Sequence, residues 1–377
     1  MALDMTQIRR LVLSVDYEIY GNGTGDVRQL MIAPSERMAR ICESHGVPLT
    51  VFFEAEEYLG FSQAERELKQ TLGYNPARAI REQVISLVRR GHDFQLHSHP
   101  KWFGARYARG RWSVHPEELS VDELFETQEE VNQYITERKE MLEEMVNSAI
   151  PSRKIRAYRA GALRAQPGQK LLSALAHNDI AVDSSVVWGL HDDAGKYLLD
   201  YREAPKDRRS WRVRDDVCHE DANGPVWEIP IYSVMRRRIH QLTPERIRAK
   251  FSSRVPKGRK KEIVQQLGIP KNPLRAAQFL FEPVPIKLDF HNLSPDALMR
   301  YIRSAPPPAS DDPIDVLVLL GHTKEHTDDA AFDRFLQLVG QDSSLQVVSF
   351  DAVIDELQNS VRSMPRVASL CETATTR

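Results

Sequence analysis

The sequence predicts an α/β fold, in which a parallel sheet or a (β/α) barrel carries a site at the ends of its strands. Two observations point there. Strand, helix and strand signals follow one another between Leu11 and Glu54. Ionisable residues also recur just after short apolar runs: Asp16 and Glu18, His97 and His99, Arg159, Asp183, His322. In βα barrels the loops converge at the C-terminal ends of the strands, so side chains placed there face one site.

Leu11–Val15 is an apolar run of strand length that delivers Asp16 and Glu18. Side chains at i and i+2 of an extended segment share a face, so the two carboxylates point together. Gly21, Gly23 and Gly25 follow, but without GxGxxG spacing and after acids that would repel a pyrophosphate. They read as a loop at the mouth of a site. Ala33–His45 reads as a helix, with Pro34 near its start and Gly46 past its end. Leu49–Glu54 reads as a strand, and Ala77–Arg90 as an amphipathic helix stopped by Gly91. Phe94–Leu96 leads to His97 and His99, which again share a face. Pro116–Met145 reads as one long acidic helix capped by Ser120 or Asp122. Ile155–Arg159 is a short strand, Gln169–His177 a helix, and Ile180–Ser185 a further strand. The pattern weakens from Val187 to Gly224, and Val226–Val234 restores a strand. Leu280–Phe290 contains Pro283 and Pro285, so it is extended but not a central strand. Ser304–Pro313 is a loop. Ile314–Leu320 is the most apolar strand and ends at Gly321-His322. Asp328–Val339 (helix), Leu345–Phe350 (strand) and Asp351–Arg362 (helix) finish the fold before a polar tail from Met364.

With 377 residues, 41% hydrophobic and 28% charged, the chain suits one large α/β domain or a domain with an insertion. A net charge of -2 gives no global pull towards nucleic acid or anionic membrane. Cys42, Cys218 and Cys371 form no CxxC and no even-numbered framework, which argues for a reducing compartment. The N-terminal apolar run is too short for a signal peptide, and no stretch approaches the ~18 apolar residues of a membrane span. The expectation is a cytoplasmic protein without stable membrane insertion, with a form secreted without a cleavable signal as the alternative. Arg236–Lys261 is strongly basic. Such runs are usually solvated helical faces; a phosphate carried by the substrate is the alternative, and with Phe251 as its only aromatic a nucleic-acid role is not expected.

Two acids and two imidazoles, each pair at a strand end, are the makings of a metal site with a spare base. Glu18, His97 and His99 can supply the three-ligand set of Zn2+ or its relatives Co2+ and Ni2+. Asp16 is then free to take a proton from the metal-bound water. A lone HxH would read as satisfied loop polarity; the DxE on another strand favours the metal. His322, directly after a buried strand, can protonate a leaving group or cap a loop, and its neighbour His326 is expected at the surface. Arg159 can pair with Asp16 and set its charge, or sit on the surface.

SVDYE, RGHDFQLHSHPKW, YRAGAL, IAVDSSV and LVLLGH together resemble, in order, the motifs of the polysaccharide deacetylase family with the NodB homology domain, carbohydrate esterase family 4. The likeness runs from about Leu11 to Val234 and resumes from Ile314 to Leu357. It implies a distorted (β/α) barrel of the NodB type with a divalent metal, often zinc. It also implies Asp16 as base, Glu18, His97 and His99 as metal ligands, Arg159 against the base and His322 as acid. Trp102 and Asp183, within two of these segments, are then expected to bind substrate. The implied activity is metal-dependent removal of an N-acetyl group from an amino sugar or glycan. Two departures stand out. The common second motif places its ligands at i and i+4, but here i+4 is Lys101, so His99 must serve, as in HxHP variants. The first motif lacks the usual adjacent acid pair. Residues 1–235 are expected to form the first part of the barrel, 236–290 a basic insertion that could cap the site, 291–362 the completion, and 363–377 a loose tail. Relatives of this fold also open cyclic amides such as allantoin, and a barrel that binds carbohydrate without cleaving it is the non-enzymatic alternative.

Overall fold

The computed structural model describes residues 8–192, 199–241 and 272–363. The strands are β1 (Arg9–Tyr17), β2 (Thr50–Glu54), β3 (Asp93–Ser98), β4 (Arg106–Ala108), β5 (Arg111–Ser113), β6 (Ala157–Ala160), β7 (Val182–Asp183), β8 (His191–Asp192), β9 (Leu199–Asp200), β10 (Trp211–Val213), β11 (Val226–Glu228), β12 (Ser233–Arg237), β13 (Pro283–Lys287), β14 (Val316–His322) and β15 (Leu345–Val347). The central sheet runs in the order β10-β11-β7-β6-β3-β2-β1-β14, and β15 also pairs with β1. Its ladders are parallel, apart from β10 with β11. The sheet curls into a barrel. Past β11 the chain crosses to the free edge of β14, where Ile231 and Asp289 form single parallel bridges to Val318 and Leu320. The ring is thus closed by bridges rather than by a full ladder, a distorted (β/α) barrel.

Parallel strands covered on both faces read as continuous apolar runs, and β1 shows why. Leu11, Leu13 and Val15 pack in the larger core cluster, with the helices. Val12 packs in a second cluster with Val316, Val318, Leu320, Ile229 and Ile231. The terminal helix Phe350–Ser363 covers this second cluster with Phe350, Val353, Ile354 and Leu357.

The helices before β7 are α1 (Ala33–Ser44), α2 (Ala55–Gln63), α3 (Glu65–Leu72), α4 (Pro76–Arg89), α5 (Val121–Leu124), α6 (Gln128–Asn147) and α7 (Gln169–His177). Pro273–Phe281, Pro295–Arg303 and Asp329–Gly340 come after β12. Three helices start alike. Asn75, Asn272 and Ser294 each accept a first-turn N–H, and the next residue is proline. Proline costs nothing at that position, because its missing N–H would have no helical partner.

Two expectations need correction. Pro116–Met145 is not one helix. Thr127 and Glu130 form a capping box that starts α6, while Phe125 before it is extended and packs on Phe103 and Tyr134 at 5.2 Å each. Val226–Val234 divides at Pro230, which offers no N–H to a ladder; β12 turns away to pair with β13 in a separate sheet. In addition, α2, α3 and the β4–β5 hairpin lie outside the elements expected from sequence. Residues 242–261 of the basic run, and the tail from Met364 with Cys371, lie outside the described residues. Among the described residues no helix is long and apolar enough to cross a membrane.

Candidate active site

Strand register assembles the site. Asp16 of β1 lies beside His322 of β14. Glu54 of β2, His97 of β3 and Arg159 of β6 lie in one row. Glu18 and His99 follow two residues beyond Asp16 and His97. All stand at the C-terminal ends of the strands, around a cleft of about 810 Å³ lined by Asp16, Glu18, His99, Lys101, Glu118, His322 and Lys324 among others. That volume suits a small organic ligand. A Cβ on Gly161 would lie 2.6 Å from His99 Cα, so glycine is what lets the turn after β6 approach the imidazole.

Arg159 is fully buried. Its Nη1 donates to Asp16 Oδ1 at 2.6 Å, Nη2 to Ser14 Oγ at 3.0 Å and Nε to the Ser184 carbonyl at 3.0 Å. Its guanidinium lies 3.8 Å over the Phe52 ring. The fork is therefore committed to holding Asp16. Burial works to raise the Asp16 carboxyl, but Arg159 first, then His97 and His322, hold it below its ordinary value. The other oxygen, Oδ2, lies 3.6 Å from His322 Nε2 and 4.0 Å from His97 Nε2.

Glu18, Glu54, His97 and His99 each offer one ligand atom, all within 4.8 Å of one another. His99 Nε2 lies 2.8 Å from Glu18 Oε2, and His97 Nε2 lies 3.5 Å from Glu18 Oε2 and 3.8 Å from Glu54 Oε2. His97 Nδ1 is 2.9 Å from the Arg159 carbonyl. A carbonyl only accepts, so Nδ1 carries the proton and the Nε2 lone pair faces the cluster. That Nε2 and Glu54 Oε2 are buried without a hydrogen-bond partner. Buried polar atoms are normally satisfied. Two orphans converging beside a carboxylate and a second imidazole make a donor set of the kind that could hold a divalent cation, and their chemistry fits one. The three ligands expected from sequence are brought together. Glu54 joins them, an acid that closes LTVFFE just as Asp16 closes LVLSVD.

A second group of similar composition, Asp289, His291 and Glu325, differs in its bonding. Asp289 accepts from the His291 and Asn292 amides at 2.8 and 3.1 Å, and from the Asn292 side chain. His291 Nδ1 accepts from the His322 amide at 3.3 Å, so its Nε2 carries the proton and donates to His326 Nδ1 at 3.2 Å. His326 Nε2 in turn donates to Asp329 at 2.7 Å. Glu325 Oε2 accepts from Asn292 Nδ2 at 3.1 Å. Each ring nitrogen of His291 and His326 already has a partner. His326, expected at the surface, is only 3% exposed and forms part of it.

His322 joins the two groups. Burial would lower its pKa, but Glu325, 3.7 Å from Nδ1, and then Asp16 and Glu18 raise it above the ordinary imidazole value. Lys324 Nζ lies 2.9 Å from Glu18 Oε1. Burial opposes the Glu18 charge; Lys324 foremost, then His99, outweighs it and holds the carboxyl well below its ordinary value. Lys101, at the i+4 position, pairs with Glu118. Lys324 sits two residues past His322 and could have been suspected. Glu118 enters from a distant loop and leaves no trace in local sequence. Trp102 and Asp183 do not line the cleft. Trp102 is packed against Phe61 and Trp112, and Asp183 lies in the sheet beside Glu228, accepting from Ser185 Oγ at 2.8 Å. Both are interior residues, buried away from the cleft.

No family model and no curated protein matches the chain. Among solved structures it is similar to a provisionally named polysaccharide deacetylase from Mycobacterium smegmatis, at 12% identity over 99% of this chain and 98% of that one, with a TM-score of 0.46. It is also similar to PuuE allantoinase, at 10% identity over 94% and 92%, TM-score 0.43. A third is a family 4 carbohydrate esterase from Streptomyces lividans in complex with acetate, at 10% identity over 90% and 91%, TM-score 0.35. At such identities and scores, function has to be read from the site itself.

Proposed function

We propose that this protein is a metal-dependent hydrolase that removes an N-acetyl group from an amino sugar or glycan. One observation carries the reading: an arginine-held carboxylate and a raised histidine flank a buried two-Glu, two-His donor set whose orphan atoms face one another. Glu18, Glu54, His97 and His99 would hold the cation, Zn2+ being the first choice for imidazole and carboxylate donors. When bound, the cation supplies a Lewis acid for the amide carbonyl and lowers the pKa of water.

The chain's own residues do the proton work. Arg159 occupies Asp16 Oδ1 and leaves Oδ2 to accept a proton from the attacking water. His322, its pKa raised by Glu325 and the site carboxylates, gives a proton to the departing amine nitrogen. Asp16→Asn removes the acceptor yet keeps the shape. It should lower acetate release from N-acetylated sugars by about 10²–10⁴-fold while the purified protein keeps its ion. A fully active Asp16→Asn protein would sink the mechanism. Cyclic ureides in the same substrate panel separate deacetylation from cyclic-amide opening, and sugar binding without bound ion or turnover would favour a binding barrel.

A further inference from the structure

The two imidazoles of the donor set are held differently. His97 is fixed by a backbone carbonyl at 2.9 Å. His99 has no such anchor: its Nδ1 is buried without a hydrogen-bond partner, and Glu118 Oε2 faces it at 3.7 Å. A shift of under ~1 Å closes that gap to a hydrogen bond. The other Glu118 oxygen is bonded to Lys101 Nζ. Lys101 is mostly buried, and its carbonyl accepts from the His115 amide at 2.8 Å, which ties the returning loop to the strand end. The loop is braced by its hairpin, where Trp112 packs on Trp102 and Phe61 at 5.1 and 5.6 Å. Glu118 therefore follows a segment tied both to the strand end and to the packed hairpin.

We propose that Glu118 is the positioning residue that orients His99 towards a bound divalent cation, and that Lys101 is the post that holds Glu118. A carboxylate on the far nitrogen of a ligand imidazole fixes its tautomer and strengthens it as a donor. This gives Lys101 a role where the resembled motif has its second histidine: it supports a ligand instead of being one. The inference rests on the cation-site reading above.

The test is Zn2+ affinity of the metal-stripped full chain, measured by competition with a chromogenic chelator, with the visible spectrum of the Co2+-loaded protein as a second readout. Glu118→Ala should weaken Zn2+ by about 10–100-fold and alter the Co2+ spectrum. Glu118→Gln is isosteric and still offers an acceptor, so it should lose less, about 3–10-fold. Lys101→Met should fall near the Gln variant. Should Glu118→Ala fail to fold, the Gln and Met variants decide the matter. Wild-type affinity and an unchanged Co2+ spectrum in the folded variants would overturn the proposal alone. A wild-type protein that takes no Zn2+ or Co2+ would overturn the cation site and this inference together.

Discussion

Glu18, Glu54, His97 and His99 form one acid–histidine group, and Asp289, His291 and Glu325 form another; His322 stands between them. By composition either could be drawn as a metal site. They differ in their accounting of lone pairs and protons. In the first, His97 spends Nδ1 on a carbonyl and leaves Nε2 and Glu54 Oε2 unsatisfied in the interior. In the second, both nitrogens of His291 and of His326 are engaged. An unsatisfied buried polar atom costs about 1–3 kcal/mol, a cost that a bound ligand can remove. The second group is a brace. It seats His291 and Phe290 against Gly321, where a Cβ would meet Phe290 Cζ at 2.6 Å.

The largest expected effect separates the two groups directly. Mass spectrometry of purified protein should find about one divalent ion per chain in the wild type, the stoichiometry of one donor set. His97→Ala should reduce this to near zero, and His291→Ala should leave it unchanged. Equal losses would erase the distinction. Next comes Arg159→Met, which leaves Asp16 charged and unpaired in the interior. Breaking a buried pair from one side costs about 3–5 kcal/mol, so the urea midpoint should fall accordingly. A neutral result would mean that water reaches Asp16.

Much of this was legible in the chain. The βα alternation and the polar residues closing apolar strands carry the barrel and bring Asp16, Glu18, His97, His99, Arg159 and His322 together, because parallel register converts strand ends into neighbours. Glu54 obeys the same rule. What escaped is what register does not govern. Glu118 reaches His99 through a hairpin whose position depends on tryptophan packing. The burial of His326 depends on His291, a contact that only tertiary structure supplies. Trp102 looks like a sugar platform in sequence, but the same aromatic surface serves the core. Pro230 was visible, and its effect on Val226–Val234 follows from its missing N–H.

A smaller effect probes the brace through pH. Burial pushes the His326 pKa down to about 4, against an ordinary 6.5, and outweighs the pull of Asp329. The folded imidazole stays neutral in the interval where the unfolded one binds a proton. Stability from this residue is therefore complete above pH 6.5 and is lost as pH falls towards 4. At ~1.4 kcal/mol per pH unit the loss comes to about 3 kcal/mol. Urea midpoints between pH 7 and pH 4.5 should fall less steeply in His326→Gln than in the wild type. Parallel curves would show that His326 titrates normally and that the brace is open to water.

The smallest effect tests whether the brace is only a brace. The Asn292 side chain donates to both Asp289 and Glu325. Asn292→Ala removes a donor from each and should cost about 1–3 kcal/mol in urea denaturation. Ion content should not change, because no atom of Asn292 is among the ligands. The turnover of the ion-loaded protein is the informative readout. Glu325 lies 3.7 Å from His322 Nδ1, so a loosened Glu325 should act through the proposed acid, lowering kcat while KM holds. Loss of the ion in Asn292→Ala would mean instead that the two groups form one cooperative unit, and the contrast between an orphaned set and a saturated one would fail.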